Sequence, residues 1–401
     1  MDPLTSFQIF GNILYQLLPV WTGMAAIFAL SFATRRKTAL YGKLFDSPIG
    51  MAGFALVLFW VLTAIFADAI MTYDPLSQVS GMKNKVPGTP LRGATEQDYQ
   101  WYLLGGDNLA RDVFSRVVAG ARIVLTISPL ATVFAFMVGI TLGLPAGYFR
   151  GRMDTVLSFI ANLVLAFPVI LLFYLLVTPE IRAAGAEIPI WGGKTWITSI
   201  PNLMAAALFI FPIIFFCTLW QSKYYTRPQM RNVLVGITLL LGLWAYSGLA
   251  FNADPLGVFQ MDANKLNIFV SVVFVNSPTV FRVVRGLTMD IKTRDYVAAA
   301  QTRGEGPWYI MLWEILPNAR GPLIVDFCLR IGYTTILLGT LGFFGLGLSP
   351  ESPDWGSTIN EGRKLLTIYA HPALPPAIAL MSMVLGLNLL ADGLREQTLR
   401  D

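Results

Sequence analysis

The chain has 401 residues, of which 55% are hydrophobic and only 13% charged, with a net charge of +5 and a mean hydropathy of +0.60. A soluble domain carries about 25% charged residues, so this composition excludes a soluble protein of such length and makes lipid the solvent for much of it. The Lys and Arg residues fall between apolar stretches, which points to membrane orientation rather than to nucleic acid.

A helix needs about 20 mainly apolar residues to cross the hydrocarbon core. Nine such stretches are predicted, near 11–33, 49–71, 123–148, 155–178, 200–220, 232–251, 267–288, 321–347 and 373–393. Their apolar runs are continuous, whereas a β-barrel strand would alternate. Backbone groups must pair within the segment in lipid, so the fold class is an all-α polytopic bundle. No Lys or Arg precedes the first stretch, and Arg35, Arg36 and Lys37 follow it. That order reads as a retained N-out, C-in helix, not a signal peptide.

With the N-terminus outside, the inside segments hold Arg35, Arg36, Lys37 and Lys43, then Arg150 and Arg152, then Lys223, Arg227 and Arg231. Arg282, Arg285, Lys292, Arg294, Arg303 and Arg320 follow, and finally Arg395 and Arg400 on a cytoplasmic C-terminus. The outside segments hold fewer, spread over longer loops; the main exceptions are Arg111, Arg116 and Arg122 in the outside loop 72–122, and long loops obey the charge rule weakly. In that loop, Asp107 to Arg122 reads as an amphipathic helix on the membrane surface. Asp107 or Asn108 would cap it, and Val113, Phe114, Val117 and Val118 would form its apolar stripe.

The third span carries a small residue at every fourth position: Ala131, Ala135, Gly139, Gly143, Gly147 and Gly151. They form one smooth helix face that admits a second helix closely, within the chain or at a subunit interface. Pro168, Pro212 and Pro278 should bend their spans. Asn162, Asn276 and Asn388 should face the bundle or a water-filled cavity. Gly192, Gly193, Lys194 and Thr195 look like the end of a phosphate-binding loop, but Ile188 stands where the first glycine is required, so no nucleotide site is expected. Cys217 and Cys328 lie in apolar stretches with no CxxC spacing, so neither a disulfide nor a metal site is expected. Asp326 and Arg330, one helical turn apart, can pair. His371 before Pro372 reads as an interfacial or capping residue.

The inside segment from Thr293 to Asn318 is the most informative. Asp295 starts a helix of small residues, Gly304 and Gly306 break it, and Pro307 can open a second, apolar helix through Leu316 that Pro317 ends. A smooth helix projecting from the membrane suits docking into a groove on a soluble partner.

These residues resemble the coupling (EAA) loop of ABC importer permeases. Ala299, Ala300, Gly304, Leu316, Pro317 and Asn318 fall on its pattern, and Ala298 replaces the usual Glu and Glu314 a frequent His. Asp295, Tyr296 and Glu305 complete the candidate coupling residues. A second motif, Gly105, Asp107, Arg111, Asp112, Ser115 and Arg116, is similar to one in dipeptide, oligopeptide and nickel-type permeases, with Ala110 in place of the second Gly. Tyr73-Asp74-Pro75, Phe344-Gly345-Leu346-Gly347-Leu348, Trp355-Gly356 and Gly393-Leu394-Arg395 also match, and together resemble the second, C-type permease of that family.

The resemblance implies an inner-membrane subunit with a homologous second permease, two ABC ATPases that bind ATP and Mg²⁺, and a periplasmic solute-binding protein. It implies no cofactor or metal on this chain, and a peptide, opine, oligosaccharide or nickel complex as solute. The expected organisation is an extra helix with a basic segment (1–44), a first core part (45–178), an insertion with two further spans (179–265), and a second core part (266–401) with the coupling loop 293–320. The competing readings are an ion-coupled carrier that uses Asp326 and a non-transporting membrane scaffold.

Overall fold

The structure is a computed structural model that describes residues 2–35, 42, 44–91, 99–178, 187–189, 195–254, 256–259, 261–346 and 351–398. Arg36, Lys37, Lys43, Gly192, Gly193, Lys194, Gly347, Leu348 and Arg400 lie outside the described residues. In chain order the main helices are α1 (Ser6–Gln16), α2 (Leu18–Thr34), α3 (Pro48–Ile65), α4 (Val113–Phe149), α5 (Arg152–Ala166), α6 (Val169–Val177) and α7 (Ile200–Leu208). They continue with α8 (Phe211–Lys223), α9 (Pro228–Phe251), α10 (Ala263–Ile291), α11 (Asp295–Thr302), α12 (Arg320–Phe343), α13 (Trp355–Arg363) and α14 (Leu374–Thr398). Two short antiparallel ribbons pair Thr89–Pro90 with Trp101–Tyr102 and Glu187–Pro189 with Thr195–Ile197.

Seven described helical segments are long and apolar enough to span a membrane, or up to nine if two bent pairs each count once. The pairs are α1–α2, bent by 55°, and α5–α6, bent by 86°. The second break falls at Phe167 and Pro168, where Pro168 cannot donate to the helix ladder. Pro212 instead sits in the first turn of α8, where its missing N–H costs nothing. Pro278 stays inside an unbroken α10. Beside it, Asn276 Nδ2 donates to Val272 O at 3.0 Å and Ser277 Oγ to Val273 O at 2.6 Å, so side chains satisfy carbonyls around the gap.

The chain divides into two compact units. One joins Met1–Pro129 and Cys328–Asp401; the other is Leu130–Phe327. In the first, α3 and α14 cross at Gly50, Gly53 and Gly393, of which sequence reading singled out only Gly393. A Cβ on Gly53 would lie 2.3 Å from Leu390 N, and one on Gly393 only 2.4 Å from Gly50 Cα. Trp60 Nε1 donates to Ser382 Oγ at 3.0 Å, and Ser47 Oγ to Glu396 Oε2 at 3.1 Å. Leu4 N donates to Gly88 O at 3.0 Å. The first residues therefore share an end of this unit with loop 72–122, as the N-out threading requires.

In the second unit the small-residue face of α4 packs on α10 of the same chain. A Cβ would lie 2.5 Å from Val280 Cγ1 at Gly139, 2.9 Å from Val284 Cβ at Gly143 and 2.7 Å from Thr288 Cβ at Gly147. Ala131 and Ala135 are fully buried. Gly151 does not belong to this face. Helix α4 ends at Phe149, and Gly151 sits in the following turn at φ +73° with open space around it. At that end Lys292 Nζ donates to the carbonyls of Gly147 and Tyr148 at 3.1 and 3.0 Å, closing unpaired acceptors at the helix terminus.

One further expectation is corrected. Asp107 to Arg122 is not a surface helix. Helix α4 starts at Val113 and continues into the third span, with Val113, Phe114, Val117 and Val118 all buried. Hydropathy placed the span ten residues late, because the polar residues of its first turns are satisfied internally. Asn276 is buried, and Asn162 and Asn388 are exposed on this chain but lie against other helices: Asn162 Oδ1 accepts from Arg282 Nη2 of α10 at 2.5 Å, and Asn388 Oδ1 would lie 3.7 Å from a Cβ on Gly332 of α12. On α14, Asn388 is two residues from Gly386 and so about 200° around the helix from the face that meets α3. Burial is uneven among the spans: 72% of the apolar window of α10 is buried, against 11% for α9.

Gly139→Val should disrupt the α4–α10 crossing at a cost of about 1–3 kcal/mol. Gly286→Ala, where a Cβ meets open space, should be neutral. Thermal unfolding of the purified protein in detergent would separate the two.

Candidate functional site

The segment after α10 forms a continuous structural element. Helix α11 spans Asp295–Thr302 and closes at Gly304, which has φ +79°. Gly304 N donates to Gln301 O at 3.0 Å and Glu305 N to Ala300 O at 3.2 Å, the two crossed bonds of a glycine-terminated helix. Winding resumes at Pro307, passes through a π-helical stretch at Ile310–Ile315, and continues as Leu316–Asn318 before turning at Ala319 into α12. Pro317 therefore does not end the helix, as the sequence suggested. The widened π turn precedes it and opens the ladder where Pro317 has no N–H to give.

The candidate coupling residues divide between two faces. Asp295, Tyr296, Ala298, Ala299, Gly304, Pro317 and Asn318 are exposed, while Glu305 and Leu316 are half-buried. Ala300 is fully buried, packed with Val297, Ile310, Met311, Leu312 and Ile315. Its small side chain lets α11 lie close on its own support rather than on a partner. Glu314 accepts from Arg303 Nη2 at 2.9 Å, and Asn318 Nδ2 donates to Glu314 O at 2.6 Å, fastening both limbs of the element. The outward result is a short, smooth patch of Ala298 and Ala299 beside the exposed Tyr296.

The second motif, in the other unit, folds into a buried ion cluster. Asp107 Oδ1 accepts from the backbone N–H groups of Leu109 and Arg111 at 2.8 and 2.9 Å, forming a tight turn. Its Oδ2 lies 2.7 Å from Arg111 Nε. Arg111 also pairs with Glu361 of α13, which receives Arg116 Nη2 at 3.2 Å. Arg116 Nη2 further donates to Thr358 Oγ1 at 3.0 Å. The side chains of Arg111 and Arg116 are 1% and 0% exposed. Two guanidiniums thus face two carboxylates with no net charge left in a nearly dry site.

Asp112 caps α4. Its Oδ2 accepts from Ser115 N at 2.9 Å, Ser115 Oγ at 2.7 Å and Thr72 Oγ1 at 2.9 Å. Burial pushes the Asp112 carboxyl above its ordinary range, against these bonds. Burial also raises Glu361, opposed by Arg116 and Arg111. Gly105, at φ +83°, leaves room for the ring of His371, whose Nε2 lies 3.1 Å from Gly106 O. His371 therefore pins the motif's turn.

The matched stretch Trp355-Gly356 gains a physical reason at each residue. The indole of Trp355 fills space that a Cβ on Gly120 would occupy at 2.4 Å, and its Nε1 donates to Val117 O at 2.9 Å. A Cβ on Gly356 would lie 2.3 Å from Gly339 O, so only glycine lets α13 lie on α12 there. Sequence reading missed Glu361 as the counter-ion. The available signal was electrostatic: two arginines in an outside loop, against the charge rule, require acids elsewhere on that side.

With this geometry in view, comparison with known proteins is informative. The family described as binding-protein-dependent transport system inner membrane component matches residues 139–398. The glutathione transport system permease protein GsiD of Pectobacterium atrosepticum is 28% identical over 349 residues, covering 87% of this chain and 85% of the relative. The dipeptide transport system permease protein DppC of Alkalihalophilus pseudofirmus is 26% identical over 356 residues, with 89% and 87% covered. DppC of Haemophilus influenzae is 25% identical over 368 residues, with 92% and 96% covered.

The ion cluster yields a stability test. Glu361→Ala would leave buried guanidiniums short of a carboxylate. It should cost about 3 kcal/mol, the low end for a broken buried pair, since that side chain keeps 18% exposure. The double variant Arg116→Met with Glu361→Leu keeps Arg111 paired with Asp107 and should lose less than Glu361→Ala alone. Thermal midpoints in detergent report both.

Proposed function

The chain belongs to the binding-protein-dependent transport system inner membrane component family, and on that premise we propose that it carries peptides inward across the membrane as one of two permease subunits. It is a multi-pass inner-membrane subunit of an ABC-type importer, a transport component rather than a catalyst. A peptide-class solute, from dipeptides to glutathione-sized molecules, is supported by the relatives' names. A periplasmic binding protein delivers it, and two ABC ATPases with ATP and Mg²⁺ drive the cycle.

The observation that carries this reading is the exposed face of α11, held by a glycine turn and backed by its own buried core. Asp295, Tyr296, Ala299 and the Gly304 turn present a small convex surface to an ATPase groove. Closure of the two ATPases draws the coupling elements together and shifts the bundles between inward- and outward-facing populations. We read the helices before residue 45 and within 179–265 as additions to a six-helix permease core.

Gly304 has positive φ and open space around it, so a substitution there strains the turn without a clash. Gly304→Val should lower ATP-driven uptake about tenfold or more while leaving membrane insertion and abundance unchanged. Uptake of a labelled dipeptide and of glutathione by cells holding the complete transporter measures this. Normal uptake by that variant would sink the coupling assignment.

A further inference from the structure

Helix α8 lies within 179–265, outside the permease pattern read in the sequence, yet it meets the coupling element directly. At its end Ser222 Oγ accepts a hydrogen bond from Trp313 Nε1 at 3.1 Å. Lys223 Nζ lies 4.9 Å from the centroid of the same indole, a cation–π contact. Trp313 belongs to the π-helical stretch, between Leu312 and Ile315, which are buried with Val297 and Ala300 of α11. Phe215 of α8 packs against that same cluster. One indole thus joins the support under the coupling helix to α8.

The α7–α8 span is itself held near its middle. Phe209, between α7 and α8, lies 5.4 Å from Phe134 and 5.9 Å from Phe269, ring centroid to centroid. Helix α9 is fastened alongside by Trp220 Nε1 on Thr238 Oγ1 at 3.1 Å and by Tyr246 OH on Ala206 O at 2.9 Å. Beyond Trp313 the Pro307–Tyr309 turn stays near α8, with a cleft between their side chains. A cavity of about 650 Å³ separates the end of α8 from the Gly304–Tyr309 turn, lined among others by Gln221, Tyr225, Glu305 and Trp308. The coupling element is therefore held to α8 through the Trp313 indole and the packing of Phe215, with an open cleft beside its glycine turn.

We propose that α8 is a strut for the coupling element, with Trp313, Ser222 and Lys223 as positioning residues that fix how α11 is presented to the ATPase. The inference rests on reading Asp295–Asn318 as the ATPase-docking element. A docking element passes on a partner's movement only when its own attachment resists the push. Beside an open cleft, the indole peg supplies that resistance, and without it part of each ATPase stroke swings the element instead of the bundle.

The test uses the complete transporter with its binding protein in liposomes, with labelled glutathione and a labelled dipeptide as probes. Trp313→Phe removes the N–H and keeps a ring; Ser222→Ala removes the acceptor. Each should lower solute moved per ATP hydrolysed about three- to tenfold, and the double variant should be no worse than either single one. A spin label at Thr302→Cys, with Cys217 and Cys328 replaced by Ser, should report greater mobility of α11 in both variants whatever the solute. Unchanged transport stoichiometry with unchanged mobility overturns the strut, as does a matching loss of assembly and ATP hydrolysis with stoichiometry preserved. An unaltered transporter with no ATP-driven uptake of either probe would instead count against the proposed function, and the spin-label result would still decide the strut.

Discussion

Two helices in hydrocarbon gain nothing by hiding apolar surface from each other, so attraction must come from how closely their backbones approach. Both units depend on that constraint. In one, Gly139, Gly143 and Gly147 bring α4 against Val280, Val284 and Thr288 of α10; in the other, Gly50, Gly53 and Gly393 bring α3 against α14. The α4–α10 crossing also sets the functional geometry. It brings Lys292 to the carbonyls at the end of α4, three residues before α11 begins at Asp295. The direction in which α11 leaves the bundle is thereby fixed by small residues more than a hundred positions earlier.

Charge follows a second logic. Most Lys and Arg residues sit in the segments expected inside, and the exceptions are informative because they are not loop charges. Arg111 and Arg116 are dry, and Asp107 and Glu361 neutralise them. Arg122 pairs with Asp68 at 2.8 Å on the surface. Charges matched within the fold present little net field at the membrane interface, which is why they do not reverse the threading. Removing one partner of such a buried pair is costly, even where the pair as a whole adds little over an apolar replacement.

Much of this was legible in the sequence, for identifiable reasons. Span number, the small-residue face of α4, the turn at Gly304 and the start of α11 at Asp295 follow from local chemistry, namely apolar length, residue size and positive φ. What was missed depends on distant partners. Burial of Ala300 depends on Ile310 and Met311, the inward helical start at Val113 depends on Glu361 and Trp355, and the role of Trp313 depends on Ser222. The π turn before Pro317 was also out of reach, since a helix period of 3.6 does not distinguish α from π winding over one turn. Ala110 illustrates the opposite case. It adopts φ +63° where the related motif has glycine, so the departure noted in sequence marks a left-handed position held by an L-residue.

The uneven burial of α9 and α10 bears on how this sequence can drift. Most of the α10 window is enclosed by the chain itself, so each of its side chains answers to neighbours of fixed shape. Almost none of the α9 window is enclosed. Apart from the face that meets α7 and α8, exchange of one apolar residue for another on α9 disturbs little of the internal packing of this chain, and what restrains that outer face is set by the lipid or by a neighbouring subunit. Two helices of similar hydropathy in one polypeptide thus evolve under different judges, one answering to its own core and the other to its surroundings.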